Sequence, residues 1–195
     1  MQTLNIPHLR GKHIDLCVLR TDEEAINLYT KWMNDENISI WIHHNDTLDY
    51  YNNELEWATQ KRNRNENYWC IIEKETGNLI GTCDCSGVRN VSIGICIGEF
   101  NGRNKGYGTE AIKLMLKFIF EEKNAHRAQL RVVADNLRAY NCYKKLGFTE
   151  YGRERESCYY HGKYVDLIEM DMLKKEYFKK YPLEHNNEIE KLSKL

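Results

Sequence analysis

Only two prolines occur in 195 residues, and no Pro-, Gly- or Ser-rich stretch splits the chain, so nothing marks a linker between two folding units. Long apolar runs are missing as well. No segment approaches the ~18 consecutive apolar residues of a membrane-spanning helix, and the N-terminus lacks the basic-then-apolar order of a secretory signal, so neither a membrane nor export is expected. Nor does charge of one sign dominate: 28 Lys and Arg stand against 29 Asp and Glu. A net charge of −1 gives no global pull toward nucleic acid, and no basic stripe interleaves with aromatics. Seven cysteines, an odd number without a regular framework, predict reduced thiols and a cytoplasmic protein. Cys83 and Cys85 share a strand face, yet no second pair completes a four-ligand zinc site. They read as small buried hydrophobes, and no metal is expected.

What remains is a chain of ordinary globular composition, 42% hydrophobic and 11% aromatic, long enough to bury a core unaided. Periodicity places strands near 13–19, 68–73, 79–85, 91–98, 128–133, 148–158 and 163–173. Helices fall near 22–34, 47–63, 106–122 and 136–146, and Thr76-Gly77-Asn78 marks a hairpin turn. The order predicts one α/β (α+β) domain over 1–182, a mixed sheet of six to seven strands with helices on both faces. A charged tail, 183–195, follows.

The run Arg103-Asn104-Lys105-Gly106-Tyr107-Gly108 carries the most chemistry. Before it, Val91 to Gly98 alternates with period two; after it, Ala111, Leu114, Met115, Phe118 and Ile119 form one helix face. A glycine-bearing loop there offers free N–H groups at a helix N-terminus, where the dipole favours an anion. Gly106 and Gly108 let a phosphate approach the main chain, although a tight turn needs the same glycines. The run is neither a Walker sequence nor a full dinucleotide fingerprint. Some thirty residues on, Ala128 to Val133 alternates again, Asp135 or Asn136 can cap the next helix, and Gly147 suits its C-terminus. Asn136, Ala139, Tyr140 and Tyr143 share one face of that helix.

Arg103-x-x-Gly106-x-Gly108 followed by Asn136-x-x-Ala139-x-x-x-Tyr143-x-Lys145-x-Gly147-Phe148 resembles the GCN5-related N-acetyltransferase (GNAT) superfamily. Leu16 to Arg20, the acidic helix start at Asp22-Glu23-Glu24 and Trp32-Met33-Asn34-Asp35 resemble that family's first strand and helix. Gly162 to Met170 resembles the closing strand of its RimJ/RimL-like branch, so the likeness spans roughly residues 8–178.

The resemblance implies a GNAT-type domain whose fourth and fifth strands, 91–98 and 128–133, splay apart to admit acetyl-CoA. It implies that Arg103, Asn104, Lys105, Gly106, Tyr107, Gly108 and Thr109 surround the pyrophosphate, and that the pantetheine arm lies along Ile95 and Ile97, as in strand addition. The Ile97 N–H would stabilise the oxyanion, and Asn136 would hydrogen-bond the pantetheine, though capping the helix is an equally good role. Tyr143 would be the general acid, since a phenol titrating near ~10 can donate to a nascent thiolate near ~8.5; packing against the sheet is its plainer role. For a base, Glu99, Asp84 and Glu110 are the neighbouring carboxylates, and the sequence does not rank them. Ser92, Gly94 and Cys96 supply no carboxylate, and many family members rely on ordered water. Direct attack needs no nucleophilic thiol, so Cys96 and Cys142 read as structural.

The acceptor site is implied at the first two helices, where Trp32, Trp41, Tyr50, Tyr51, Trp57, Tyr68 and Trp69 crowd, most of them core by size; His43-His44 reads as a loop pair. From Asp22 to Glu56 nine acids face one base, whereas Phe100 to Lys175 holds fifteen bases against ten acids. An acidic half suits a cationic amine and a basic half a phosphate-rich donor, unless these charges are solvated faces. The expectation is an acetyl-CoA-dependent N-acetyltransferase acting on a primary amine, a peptide N-terminus or small amine. A spermidine-type polyamine, or a non-catalytic acyl-CoA-binding module, stands as the alternative. A homodimer stays open, since dimers are common in the superfamily.

Overall fold

A computed structural model of the chain describes residues 5–42, 47–64, 66–99 and 105–182. Its eight strands are β1 (Pro7–Arg10), β2 (Ile14–Val18), β3 (Asn67–Glu73), β4 (Leu79–Ser86), β5 (Asn90–Ile97), β6 (Arg127–Val133), β7 (Thr149–Tyr160) and β8 (Lys163–Leu173). The helices are α1 (Glu23–Met33), α2 (Glu36–Ser39), α3 (Tyr51–Asn63), α4 (Tyr107–Lys117), α5 (Leu137–Leu146) and α6 (Lys174–Lys180). All strands join one mixed sheet in the order β1-β2-β3-β4-β5-β6-β8-β7. The α+β single-sheet reading therefore holds, with one strand more than expected. The extra strand is β1, whose four residues are too short and mixed for periodicity to register. It shifts the count, so the pair expected to splay is β5 and β6.

Each element follows from local chemistry. Asp22 opens α1 by accepting from the Ala25 N–H, and Ala25, Ile26, Tyr29 and Trp32 then fall on one buried stripe. Asn136 caps α5 in the same way through the Ala139 N–H, and Gly147 ends it at φ +105, a left-handed conformation that costs glycine little. The helix expected over 106–122 is α4 continued by a π turn, Phe118–Glu122. Core side chains lie on both faces of the sheet. On one, Ile14, Ile71, Val91 and Ile93 meet Ala111, Ile112 and Met115 of α4. On the other, Cys17, Cys70, Ile72 and Cys96 meet Ile26 and Trp32 of α1 and Ala58 of α3. All seven cysteines are free thiols, five of them buried, as small hydrophobes would be.

Candidate active site

The sheet opens where the sequence places its two parallel neighbours. β5 pairs with β6 only at Asn90–Ser92 against Arg127–Gln129. Beyond that point β6 stays with β8 along its whole length, and β5 stays with β4 as far as Ile97. A cavity of about 850 Å³ fills the wedge, within the size range of ligand pockets. The Gly98 N–H bonds to the Ile80 carbonyl on the β4 side. Backbone groups alternate along a strand, so the N–H groups of Ile95 and Ile97 face the wedge. Their side chains pack toward α4, while Cys96 packs toward α1.

The N-terminus of α4 forms one wall. Gly106 takes φ +84, where any side chain is strained. The first intrahelical bond of α4 runs from the Glu110 N–H to the Gly106 carbonyl, which leaves the N–H groups of Tyr107, Gly108 and Thr109 without helical partners. A Cβ on Gly108 would stand 3.6 Å from Ile97 and 4.0 Å from Ile95. Packing thus does not demand glycine there, although glycine costs a helix roughly 1 kcal/mol against alanine. Its effect is to keep the wall of the wedge bare. Thr109 Oγ1 lies 3.1 Å from Cys142 Sγ and ties α4 to α5.

Glu73, at the end of β3, holds this helix start in place. Its carboxylate accepts from the Tyr107 hydroxyl at 2.6 Å, from Thr76 at 2.7 Å and from Lys105 at 3.2 Å. The Tyr107 and Thr76 bonds, with a lesser contribution from Lys105, bring its pKa down to about 2. Lys105 and Tyr107 were both expected around a pyrophosphate. The Lys105 ammonium is instead ion-paired at this carboxylate, and the Tyr107 ring lies mostly in the core at 7% exposure, although Tyr107 does line the cavity with Gly106, Gly108 and Thr109. Arg103 and Asn104 lie outside the described residues.

α5 supplies the opposite wall. Asn136 lines the cavity while its side-chain oxygen caps the helix at 3.2 Å from the Ala139 N–H. Tyr143 lines it too, with its ring 6.1 Å from Phe148. Among the described residues nothing hydrogen-bonds its hydroxyl. Burial pushes this phenol well above its ordinary value of 10.0, so it stays protonated at any physiological pH. Tyr140, by contrast, donates to Glu150 at 3.1 Å and belongs to the packing.

The far mouth lies against the α2 segment. Asn37, Ile38 and Trp41 line it, and the Trp41 ring meets Tyr160 of the β7–β8 hairpin edge-on at 5.9 Å. His161 at the hairpin tip reaches Glu36 at 3.2 Å. Among the described residues two carboxylates line the cavity, Asp84 of β4 and Glu169 of β8. Burial pushes Asp84 up to about 6. The other two carboxylates considered as bases are committed elsewhere. Glu99 accepts from Lys31 and the Trp32 indole, each at 2.9 Å, and Glu110 accepts from the main chain at His13 at 2.9 Å.

The acetyltransferase (GNAT) domain family matches residues 8–149. The chain belongs to the GNAT acetyltransferases. It is 30% identical over 114 residues to the uncharacterized N-acetyltransferase p20 of Bacillus licheniformis, a match covering 57% of this chain and 64% of that protein. Against the spermidine N(1)-acetyltransferase of Vibrio cholerae it is 28% identical over 111 residues, 55% of this chain and again 64% of the relative. The chain therefore spans somewhat under two thirds of each relative's length. In three dimensions it superposes on a crystal structure of the Vibrio cholerae spermidine N-acetyltransferase in complex with CoA and spermine, with a TM-score of 0.76 at 22% identity. That superposition covers 86% of this chain and 99% of the other.

Seen as a GNAT site, the wedge gathers Ile95, Ile97, Gly106, Tyr107, Gly108, Thr109, Asn136 and Tyr143, eight of the residues expected from sequence. Lys105 does not line the wedge, its ammonium being turned to Glu73. None of the described acids of the 22–56 stretch lines it either. Asp22 and Asp35 cap helices, Asp22 and Glu24 hold Arg20, and Glu54 is buried. Asp46, like the His43-His44 pair, lies outside the described residues. The described acids that do line it are Asp84, already weighed as a base from sequence, and Glu169, which sits between Asp166 and Asp171 of β8 with no motif to single it out. Tyr151 and Arg131 line it as well and, like Glu169, were missed because no local pattern marks them. Among the described residues no three His, Cys, Asp or Glu side chains stand together so as to hold a metal ion, and no helix is long and apolar enough to cross a membrane.

Proposed function

We propose that this GNAT chain moves the acetyl group of acetyl-CoA to a primary amine by direct attack, within a domain spanning 1–182. The observation that carries the reading is the wedge between β5 and β6, with free strand-edge N–H groups, a helix N-terminus and a buried phenol all turned into one cavity. The residues fit the donor. Bare N–H groups at Tyr107, Gly108 and Thr109 suit a pyrophosphate, and the cleared space beside Gly108 suits a chain passing along Ile95 and Ile97. The Asn136 side chain has a second acceptor lone pair and an amide N–H₂ left over from capping, enough to bond an amide-bearing arm.

Acetyl-CoA supplies an activated acyl carbon and a thiolate leaving group. The protein's part is to place and polarise them. The Ile97 N–H, turned into the wedge, would donate to the thioester carbonyl oxygen as it gathers charge, and such donors are typically worth on the order of 10²–10³ in rate. Tyr143 keeps its proton and donates a hydrogen bond to the departing sulfur. A thiolate in the same buried place is itself a stronger base than in water, which keeps the donor and acceptor matched.

The acceptor enters by the mouth at Asn37, Ile38 and Trp41. Two carboxylates lining the cavity favour a cationic amine, and the spermidine acetyltransferases among the relatives favour a polyamine over a peptide N-terminus. The β8 pattern supports a place in the RimJ/RimL-like branch, and the scattered free thiols support a cytoplasmic setting. Free-thiol release from acetyl-CoA tests the reading, with spermidine, a serine-ended peptide, an aminoglycoside and an amino sugar as acceptors. Turnover with spermidine is the expected result. Tight CoA binding with no turnover across the panel would favour a non-catalytic acyl-CoA-binding module, and no CoA binding would end the assignment.

A further inference from the structure

We propose that Asp84 is the carboxylate that meets the acceptor's ammonium group and takes the proton that must leave before the nitrogen can attack. The proposal rests on the acetyltransferase reading above and adds to it the group that receives the amine.

Placement comes first. Asp84 sits opposite Gly94 of β5 on one side and Tyr68 of β3 on the other, on the sheet face turned away from α4. Its carboxylate lies over Gly94, where a Cβ would come within 2.3 Å of Oδ1. The glycine provides the room that the carboxylate occupies, one residue from Ile95. Asp84 lines the cavity together with Asn37, Ile38 and Trp41. The donor and the phenol lie toward α4 and α5, so Asp84 addresses the wedge from the acceptor's side.

Commitment comes second. Glu99 and Glu110 are tied into other bonds, whereas no side chain or main-chain group among the described residues hydrogen-bonds the Asp84 carboxylate. The charges facing it are few. From α3 Lys61 approaches, but its ammonium is held by Glu66 at 2.8 Å and lies 5.0 Å from the Tyr68 ring centroid. β3 brings Tyr68, with Glu66 just before it. β5 brings Ser92, Gly94 and Cys96, and the α2 segment brings Asn37, Ile38 and Trp41, none of them an acidic or basic side chain. Across the cavity stand Glu169 and Arg131, the latter 3.7 Å from Glu154. Burial, opposed by Lys61 and helped by Glu66, raises the carboxyl to about 6. It is thus ionised at neutral pH and a better base than an ordinary aspartate.

The step balances. One N–H proton of the ammonium moves to an Asp84 oxygen, and the freed lone pair attacks the thioester carbon. The C–N bond forms and the C–S bond breaks as nitrogen loses its second proton. Of the two protons released, one ends on the CoA sulfur and one passes to solvent, leaving amide and thiol.

Asp84→Asn tests the assignment, because it keeps the shape and removes the charge. With spermidine as acceptor, kcat/KM at neutral pH should fall by about 10²-fold or more. The wild-type decline in kcat/KM on the acid side of about 6 should vanish from the variant's pH profile, with CoA affinity unchanged and thermal stability at neutral pH not lowered, since the variant loses a buried charge. Gly94→Ala, which crowds the same carboxylate from β5, should lower kcat/KM with it and carries the test if the Asn variant misfolds. An Asn variant with wild-type kcat/KM and an intact acid limb, beside an active wild type, would overturn Asp84 alone. A wild type that binds CoA yet releases no thiol with any amine would overturn the acetyltransferase reading, and Asp84 with it.

Discussion

Tyr143 shows how a single side chain is tuned by its place. In water a phenol titrates only ~1.5 units above a thiol. Here burial lifts the phenol well beyond its ordinary 10.0, and the hydroxyl has no protein partner among the described residues. Such a group is a persistent donor that gives its hydrogen bond to whatever charge develops beside it. Tyr143→Phe removes only the hydroxyl and leaves the ring against Phe148, so folding should be nearly unchanged. Thiol release should drop in kcat by about 10²-fold or more, while the CoA dissociation constant measured by calorimetry stays within twofold of wild type. Equal losses in CoA affinity and rate would mean that the residue only packs. The sequence places this tyrosine on the right helix face because spacing along one helix is a local property. Glu73 escaped the same reasoning. It meets Tyr107 and Lys105 across more than thirty residues, and nothing in its neighbourhood of the sequence marks it out.

At the scale of elements, the wedge exists because two neighbouring strands have different second partners: β5 follows β4, and β6 follows β8. Strand positions were legible from alternation, whereas the point of parting was implied only by family resemblance, since pairing register beyond a hairpin leaves no local trace. β1 and α2, four residues each, were too short for any period to show. The start of α4 is likewise set by another element, through the Glu73 carboxylate at the end of β3. Glu73→Gln should loosen that start, and CoA affinity should fall several-fold with kcat little changed. Acid stability should change as well. A carboxyl held at about 2 in the fold and near 4.5 when unfolded stabilises the fold above about 4.5, and that contribution is lost as pH falls from there toward 2. Between pH 5 and 2 the wild type should therefore lose stability faster than the glutamine variant, which has no carboxyl to titrate. Parallel loss in denaturant titrations at several pH values would show that Glu73 carries no such linkage.

Over the whole molecule, charge count and charge position part company. The acidic 22–56 stretch reads in sequence as a field for a cationic amine, yet its caps, its Arg20 cluster and the buried Glu54 account for much of it, and no described member lines the cavity. Exposed charges act on a ligand only across roughly a Debye length, about 8 Å at physiological salt, and steering by them is a rate effect that salt removes. Charges lining a partly enclosed cavity are screened far less. Two sets of substitutions separate these contributions. Neutralising the exposed pair Glu23→Gln and Glu56→Gln should leave KM for spermidine within about twofold at 0.15 M salt, with a larger effect only at low ionic strength. Glu169→Gln, inside the cavity, should raise KM several-fold at both salt concentrations and leave CoA affinity alone. Initial rates at 0.02 and 0.15 M salt decide it: a large KM change from the exposed pair at the higher salt would return the acceptor to the acidic helices. A KM indifferent to Glu169 would leave Asp84 as the one described cavity carboxylate to meet the cation.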